Sequence, residues 1–111
     1  MRIRPTTIVC LGTLLAMAIV ASCRKPFHEE TERYVFVAAN ITVPYWQEAR
    51  AGFTDAARVL GVKAEFTGPE VYSPEQELEA FQKAVSRKPS GILISPTRPE
   101  LFNKDIDAAV Q

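Results

Sequence analysis

Hydrophobic and polar positions fall into two alternating patterns from Tyr34 to the end of the chain. Tyr34-Val35-Phe36-Val37-Ala38-Ala39 is a continuous apolar run rich in β-forming residues, the pattern of a strand buried on both faces. Asn40 to Pro44 reads as a loop. Trp46, Ala49, Phe53, Ala56, Ala57 and Leu60 then recur at three- and four-residue steps. That spacing makes one helical stripe, and Gly61 supplies its C-terminal stop. Val62 to Thr67 is a second strand, short and less apolar, as an edge strand can be.

Gly68-Pro69 breaks the chain. Ser73-Pro74-Glu75-Gln76 then has the composition of a helix start: Ser as N-cap, Pro in the first turn, and Gln three residues on to complete a capping box. Leu78, Phe81, Ala84 and Val85 give the buried face of this second helix. Pro89-Ser90-Gly91 ends it, and Ile92-Leu93-Ile94 is a third strand, short and wholly apolar. Pro96 and Pro99 frame a turn. A third helix runs from about Pro99 to Ala109, with Phe102, Ile106, Ala109 and Val110 on one side.

The order βαβαβα predicts an α/β fold, a parallel sheet with flanking helices joined by right-handed crossovers. A sheet of three strands leaves the apolar third strand at an edge with unpaired backbone groups. Residues 34–111 are therefore expected to be the first part of a larger domain, a partial first lobe that is marginal by itself.

The segment before Tyr34 has a different character. Met1-Arg2-Ile3-Arg4 is a short cationic start, Ile8 to Ala21 is an apolar run, and Val20-Ala21-Ser22-Cys23 follows. These are the regions of a secretory signal in their usual order. The apolar run is shorter than the ~20 residues of a membrane span. An aliphatic residue, two small residues and a cysteine resemble the lipobox of bacterial lipoproteins. The resemblance implies cleavage of residues 1–22 and a diacylglycerol on the Cys23 thiol, which with a further acyl chain gives stable anchoring to a membrane. Residues 24–33 are polar and charged with one proline, and read as a flexible tether. His28 lies in it, with no second His or Cys nearby to make a metal site, and is expected to be a solvated tether residue.

Charge narrows the function classes. The chain carries 13 basic and 13 acidic residues. Removing Arg2 and Arg4 with the signal leaves no excess of positive charge to recruit nucleic acid. Cys10 falls inside the signal, so Cys23 is the only cysteine left, and it is better read as a modification site than as a redox centre.

Taken in order, several stretches resemble the sugar-type periplasmic binding proteins of ABC importers, the group that includes the ribose-binding protein. They are the opening Tyr34 to Trp46, Ala51-Gly52-Phe53, Gly61-Val62, Glu75-Gln76-Glu77, and Lys88-Pro89-Ser90-Gly91-Ile92-Leu93-Ile94-Ser95-Pro96. The resemblance covers residues 34–111. It implies two α/β lobes joined by a hinge with a solute held between them, a permease as partner, and no cofactor. This chain corresponds to about the first half of the first lobe.

Ligands of open parallel sheets sit beyond the carboxyl ends of the strands. Three loops qualify: Asn40 to Trp46, Gly68 to Ser73 and Ser95 to Arg98. By the resemblance, Tyr45 and Trp46 stand where aromatics stack on a sugar ring, whose apolar face suits such packing. Trp46 has a second reading as part of the buried stripe. Val43 departs from the family, in which a polar residue commonly precedes this proline and bonds the sugar; Thr42 or Asn40 can substitute. Asn40 can equally serve loop backbone groups. Glu70 and Tyr72 read as loop-surface residues. Ser95 and Thr97 read as structural supports of the neighbouring strand end.

The leading expectation is capture of a small polar solute, a monosaccharide by class, for an ABC importer. The alternative is a ligand-sensing lipoprotein that feeds a signalling receptor. An enzyme has no support: the first strand leads into Asn-Ile-Thr-Val-Pro without a glycine-rich phosphate cradle. With His28 as the only histidine there is no Ser-His-Asp set. Glu75 and Glu79 at four-residue spacing are more simply a solvated helix face.

Overall fold

In the computed structural model the described residues are 27–111. The expected signal peptide and the Cys23 lipidation site lie outside them. Strands β1 (Arg33–Val37), β2 (Lys63–Thr67) and β3 (Gly91–Ile94) alternate with helices α1 (Pro44–Leu60), α2 (Pro74–Ser86) and α3 (Pro99–Ala109). The sheet has the order β2-β1-β3 and is wholly parallel. The central strand pairs Arg33 with Lys63 through Val37 with Thr67 on one side. On the other side it pairs Tyr34 with Gly91 through Val37 with Ile94.

Alternation along β1 divides the molecule into two layers of packing. Val35 and Val37 are fully buried and form a core with Phe81 and Ala84 of α2 and Phe102 of α3. Phe36 points to the opposite face and meets α1. Its ring packs edge-on against Trp46, Phe53 and Phe66, at centroid distances of 5.9, 5.6 and 5.4 Å. Such T-shaped contacts add to the area the rings bury. Helix α1 thus covers one face of the sheet, and α2 and α3 cover the other.

The helix ends follow local chemistry. Gly61 adopts a left-handed conformation (φ 71°) that costs an L-residue and suits glycine. The next amide, of Val62, donates to the Ala57 carbonyl at 3.0 Å, the six-to-one bond of a Schellman motif. Ser73 caps α2 by accepting from the Gln76 amide at 3.3 Å. The return bond of a full capping box, from the Gln76 side chain, is not formed among the described residues.

Four expectations need correction. Ala56 and Leu60 are exposed rather than part of the buried stripe of α1, with Leu60 49% exposed. The reason is that α1 packs on the Phe36 face toward β2, and only the Trp46, Ala49, Phe53 and Ala57 edge of its stripe touches the sheet. Ala109 and Val110 are likewise exposed at the end of α3, where Phe102 and Ile106 make the contact. The third strand, apolar throughout, is not evenly covered: Leu93 is 45% exposed, because Ile92 and Ile94 take the core face and Leu93 lies on the face that α1 leaves partly open.

The fourth concerns the stretch before the sheet. Nδ1 of His28 donates to Oε2 of Glu32 at 2.8 Å, and the Tyr34 hydroxyl donates to the same oxygen at 3.0 Å. The His28 ring also stands edge-on to Phe27 and Tyr34. His28 is therefore half-buried in a hydrogen-bonded knot rather than solvated on a tether. The His28 bond, followed by those from the Glu29 amide and Tyr34, holds the Glu32 carboxyl below its ordinary value of 4.5 against the opposing effect of burial. The bond to Glu32 pushes the Tyr34 phenol up.

Candidate functional site

The carboxyl ends of β1, β2 and β3 all open on one side of the sheet, since the strands are parallel. The loops that leave them are tied to one another by backbone bonds. The Ala38 amide donates to the Thr67 carbonyl and the Ile41 amide to the Pro69 carbonyl, each at 2.9 Å. Ala38 and Ala39 are buried under these ties. Gly68 makes the close approach possible, because any side chain there would strike the Ala38 carbonyl.

Asn40 and Thr42 meet within the first loop. Oδ1 of Asn40 accepts from the Thr42 amide at 2.8 Å, an Asx turn of the kind this residue favours. The Thr42 hydroxyl lies 2.8 Å from the same Oδ1 and 3.0 Å from the Glu70 carbonyl. Its single proton is shared between these two acceptors, so Thr42 links the first loop to the second. The carbonyl half of Asn40 thus serves the loop, as one of its two readings had it.

Val43 is the N-cap residue of α1 and has no side chain able to cap. The Gln47 side chain does not cap but ties the helix to the loop before it, donating from Nε2 to the Ile41 carbonyl. Sequence reasoning missed Gln47, whose partner Ile41 lies in the loop before the helix.

Tyr45 and Trp46 divide by exposure. Tyr45 is 71% exposed and stands edge-on to Trp46 at 4.9 Å between centroids. Trp46 is half-buried and reaches the Phe36 ring. A ring anchored in the core beside a free one gives a fixed aromatic corner at the start of α1. Tyr72 is 66% exposed, and Ser95 is exposed on the third loop.

Thr97 bonds to α2. Its hydroxyl and its amide both donate to Oε2 of Glu77, at 2.6 and 3.1 Å. Arg98 binds the Glu75 carboxylate, so Glu75 is an ion-pair partner rather than a freely solvated acid. Glu77 entered the sequence reading only within the Glu75-Gln76-Glu77 stretch and not as a buried residue, although its spacing to Phe81 and Ala84, four and seven positions on, places it on the buried stripe.

A separate groove of about 560 Å³ runs beside the β3 edge, between Phe81, Val85, Ile92 and Ile106. It follows β3 from Gly91 to Ile94, and none of the candidate solute residues line it. Among the described residues no group of three or more His, Cys, Asp or Glu side chains could hold a metal ion.

The model of the periplasmic binding protein domain family matches residues 34–111. The chain belongs to this family. Three similar solved structures share this fold. An arabinose binding protein from Geobacillus stearothermophilus is 35% identical, covering 72% of this chain and 28% of its own, with a TM-score of 0.68. The sugar-binding protein of a sugar ABC transporter from Bacillus halodurans is 30% identical over 71% of this chain and 27% of its own, with a TM-score of 0.67. An ABC transporter solute binding protein from Agrobacterium vitis, bound with alpha-D-tagatopyranose, shares the fold at 21% identity. It covers 72% of this chain and 27% of that one, with a TM-score of 0.68. The chain thus spans about a quarter of the length of the structures it matches. Comparison with curated proteins gives no match. Membership of the periplasmic binding protein family makes this a binding domain with a periplasmic or envelope location, and the three-stranded sheet is part of one lobe of that fold.

Proposed function

We propose that residues 34–111 form the first part of a sugar-binding lobe in a two-lobed protein that hands its solute to an ABC permease. The observation that carries this reading is the aromatic corner of Tyr45 and Trp46 at the carboxyl ends of the strands, beside the Asn40–Thr42 turn. A sugar offers a flat apolar face and a rim of hydroxyls. Tyr45 provides exposed ring surface for the first. The amide half of Asn40, and the exposed polar groups of the second loop, suit the second. The likeness to the arabinose binding protein and to the Bacillus halodurans sugar-binding protein supports the same class of solute. Nothing specific in the fold favours the sensing alternative.

The reading extends to the N-terminus. Cleavage before Cys23 and lipidation of its thiol would hold the lobe at a membrane, with residues 24–27 as a short spacer before the His28–Glu32–Tyr34 knot.

Trp46 is the only tryptophan in the chain and lies in the proposed site. Titrating the complete two-lobed protein with arabinose, glucose, galactose and tagatose should change Trp46 emission with at least one of them. No change in emission, and no rise in unfolding temperature across a broader panel of monosaccharides, would sink the sugar reading.

A further inference from the structure

Glu77 is the one fully buried charged side chain among the described residues, at 0% exposure. Burial of a carboxylate is costly unless hydrogen bonds replace its hydration. Only half of Glu77 is compensated. Oε2 accepts from the hydroxyl and the amide of Thr97, whereas Oε1 receives no hydrogen bond from the protein, and the buried Nε of neighbouring Arg98 gives none. For stability alone an apolar pair in place of Glu77 and Thr97 would serve as well here. Leu78 and Phe81 already pack against the same core, and replacing buried ionic groups by hydrophobic ones is often neutral or stabilising.

What the acid provides is geometry. Residues 75 and 77 belong to the first turn of α2, and their targets, Thr97 and Arg98, are adjacent in the turn between β3 and α3. Glu77 holds Thr97 from inside, and Glu75 holds the Arg98 guanidinium from outside. Carboxylates are favoured at this end of a helix by its dipole. The β3–α3 turn is thereby fixed to α2 at the same side of the sheet as the Asn40 loop and the aromatic corner.

We propose that Glu77 is a positioning residue of the solute site. It sets the β3–α3 turn as a preformed wall of the cleft, and solute affinity depends on it although it does not touch the solute. This rests on the solute-binding reading above. Holding a turn in advance removes an ordering cost that binding would otherwise carry.

The test compares the complete wild-type protein with E77Q, E77L and T97V. Three quantities are measured: Thr97 amide exchange by NMR, the unfolding midpoint, and affinity for arabinose, glucose, galactose and tagatose. Gln keeps an oxygen for both Thr97 donors, so E77Q should hold Thr97 exchange and affinity within about threefold of wild type. E77L leaves both Thr97 donors without their acceptor, so its unfolding midpoint should fall modestly, while Thr97 exchange quickens and the affinity of the folded fraction falls, each by about tenfold. T97V, which retains the backbone donor but loses the hydroxyl, should lose about threefold in affinity and decides the matter if E77L fails to fold. Unchanged affinity in E77L, or in T97V where E77L does not fold, overturns the positioning role. So does an affinity loss no larger than the loss of folded protein. Wild type that binds none of the four sugars overturns the sugar reading instead. The exchange comparison then stands alone, and slow Thr97 exchange in E77L shows that Glu77 does not hold the turn.

Discussion

Gly68 and Ala38 approach so closely that a Cβ on Gly68 would lie 2.2 Å from the Ala38 carbonyl oxygen. The backbone φ of 151° at Gly68 adds strain for any L-residue. Both effects act where the first two loops are joined. Gly68→Ala should therefore destabilise the fold by about 2 kcal/mol or more and weaken sugar binding beyond the loss of folded protein. Denaturant unfolding and sugar titration of the same sample check this. A Gly68→Ala protein of wild-type stability would show that the two loops separate at little cost.

The aromatic corner predicts a split between two neighbours. Tyr45→Ala should leave stability within about 0.5 kcal/mol, as exposed substitutions usually do, and lower sugar affinity about tenfold or more. Trp46→Ala removes a half-buried ring from the Phe36 cluster and should cost about 1–3 kcal/mol of stability in addition, less than a fully buried aromatic. Equal stability losses in the two variants would contradict the division of roles. Wild-type affinity in Tyr45→Ala would remove Tyr45 from the site.

Phe102 tests the other face of the sheet. It is fully buried against Val35, Val37 and Phe81. Phe102→Ala should cost about 3–5 kcal/mol, read as a fall in the denaturant midpoint. Leu60→Ala, on the open flank of α1, should cost much less. If the two losses were alike, the α1 flank would be covered in the protein.

The knot at the amino end of β1 gives a pH dependence with a definite sign. Glu32 is held below 4.5 by its bonds, led by that of His28. A depressed acid stabilises the fold at pH above its unfolded value, and that contribution fades as pH falls through the lowered value. Glu32→Gln should therefore be less stable than wild type at neutral pH, with the difference shrinking as pH drops below the carboxylate range. A stability difference that stays constant from neutral to acid pH would mean the charge on Glu32 plays no part.

Lipidation at Cys23 is tested directly. Cells grown with an alkynyl fatty acid should label the wild-type protein, which should enter the detergent phase on extraction. Cys23→Ser should be unlabelled and aqueous. Labelling of Cys23→Ser would place the anchor elsewhere, and an unlabelled wild type would remove it.

Much of the scaffold was legible because it depends on short-range rules. Gly61 ends α1 and Ser73 caps α2 where local composition put them, and the strand–helix order follows from periodicity. Other contacts depend on partners far away in sequence. Thr42 has one partner in the Glu70 carbonyl, and Trp46 has one in Phe36. The exposure of Leu60 and Val110 depends on how far each helix overlaps the sheet, which periodicity does not encode. Glu77 was overlooked because an acid in a first helical turn reads as solvated and dipole-favoured, and only its alignment with Phe81 and Ala84 shows otherwise. The knot around His28 was hidden by the polar composition of the segment, which looks like a spacer unless Glu32 and Tyr34 are seen to share one oxygen.

The pairing of the central strand bears on timing. β1 leads the sheet in sequence, yet its two partners start only at Lys63 and Gly91. A strand whose partners lie that far along the chain closes large loops before any ladder bond forms, which slows folding. For a chain proposed to be threaded through a membrane, delay is useful. The leading segment can enter the translocation channel unpaired, because the residues that would lock it into a sheet have yet to arrive.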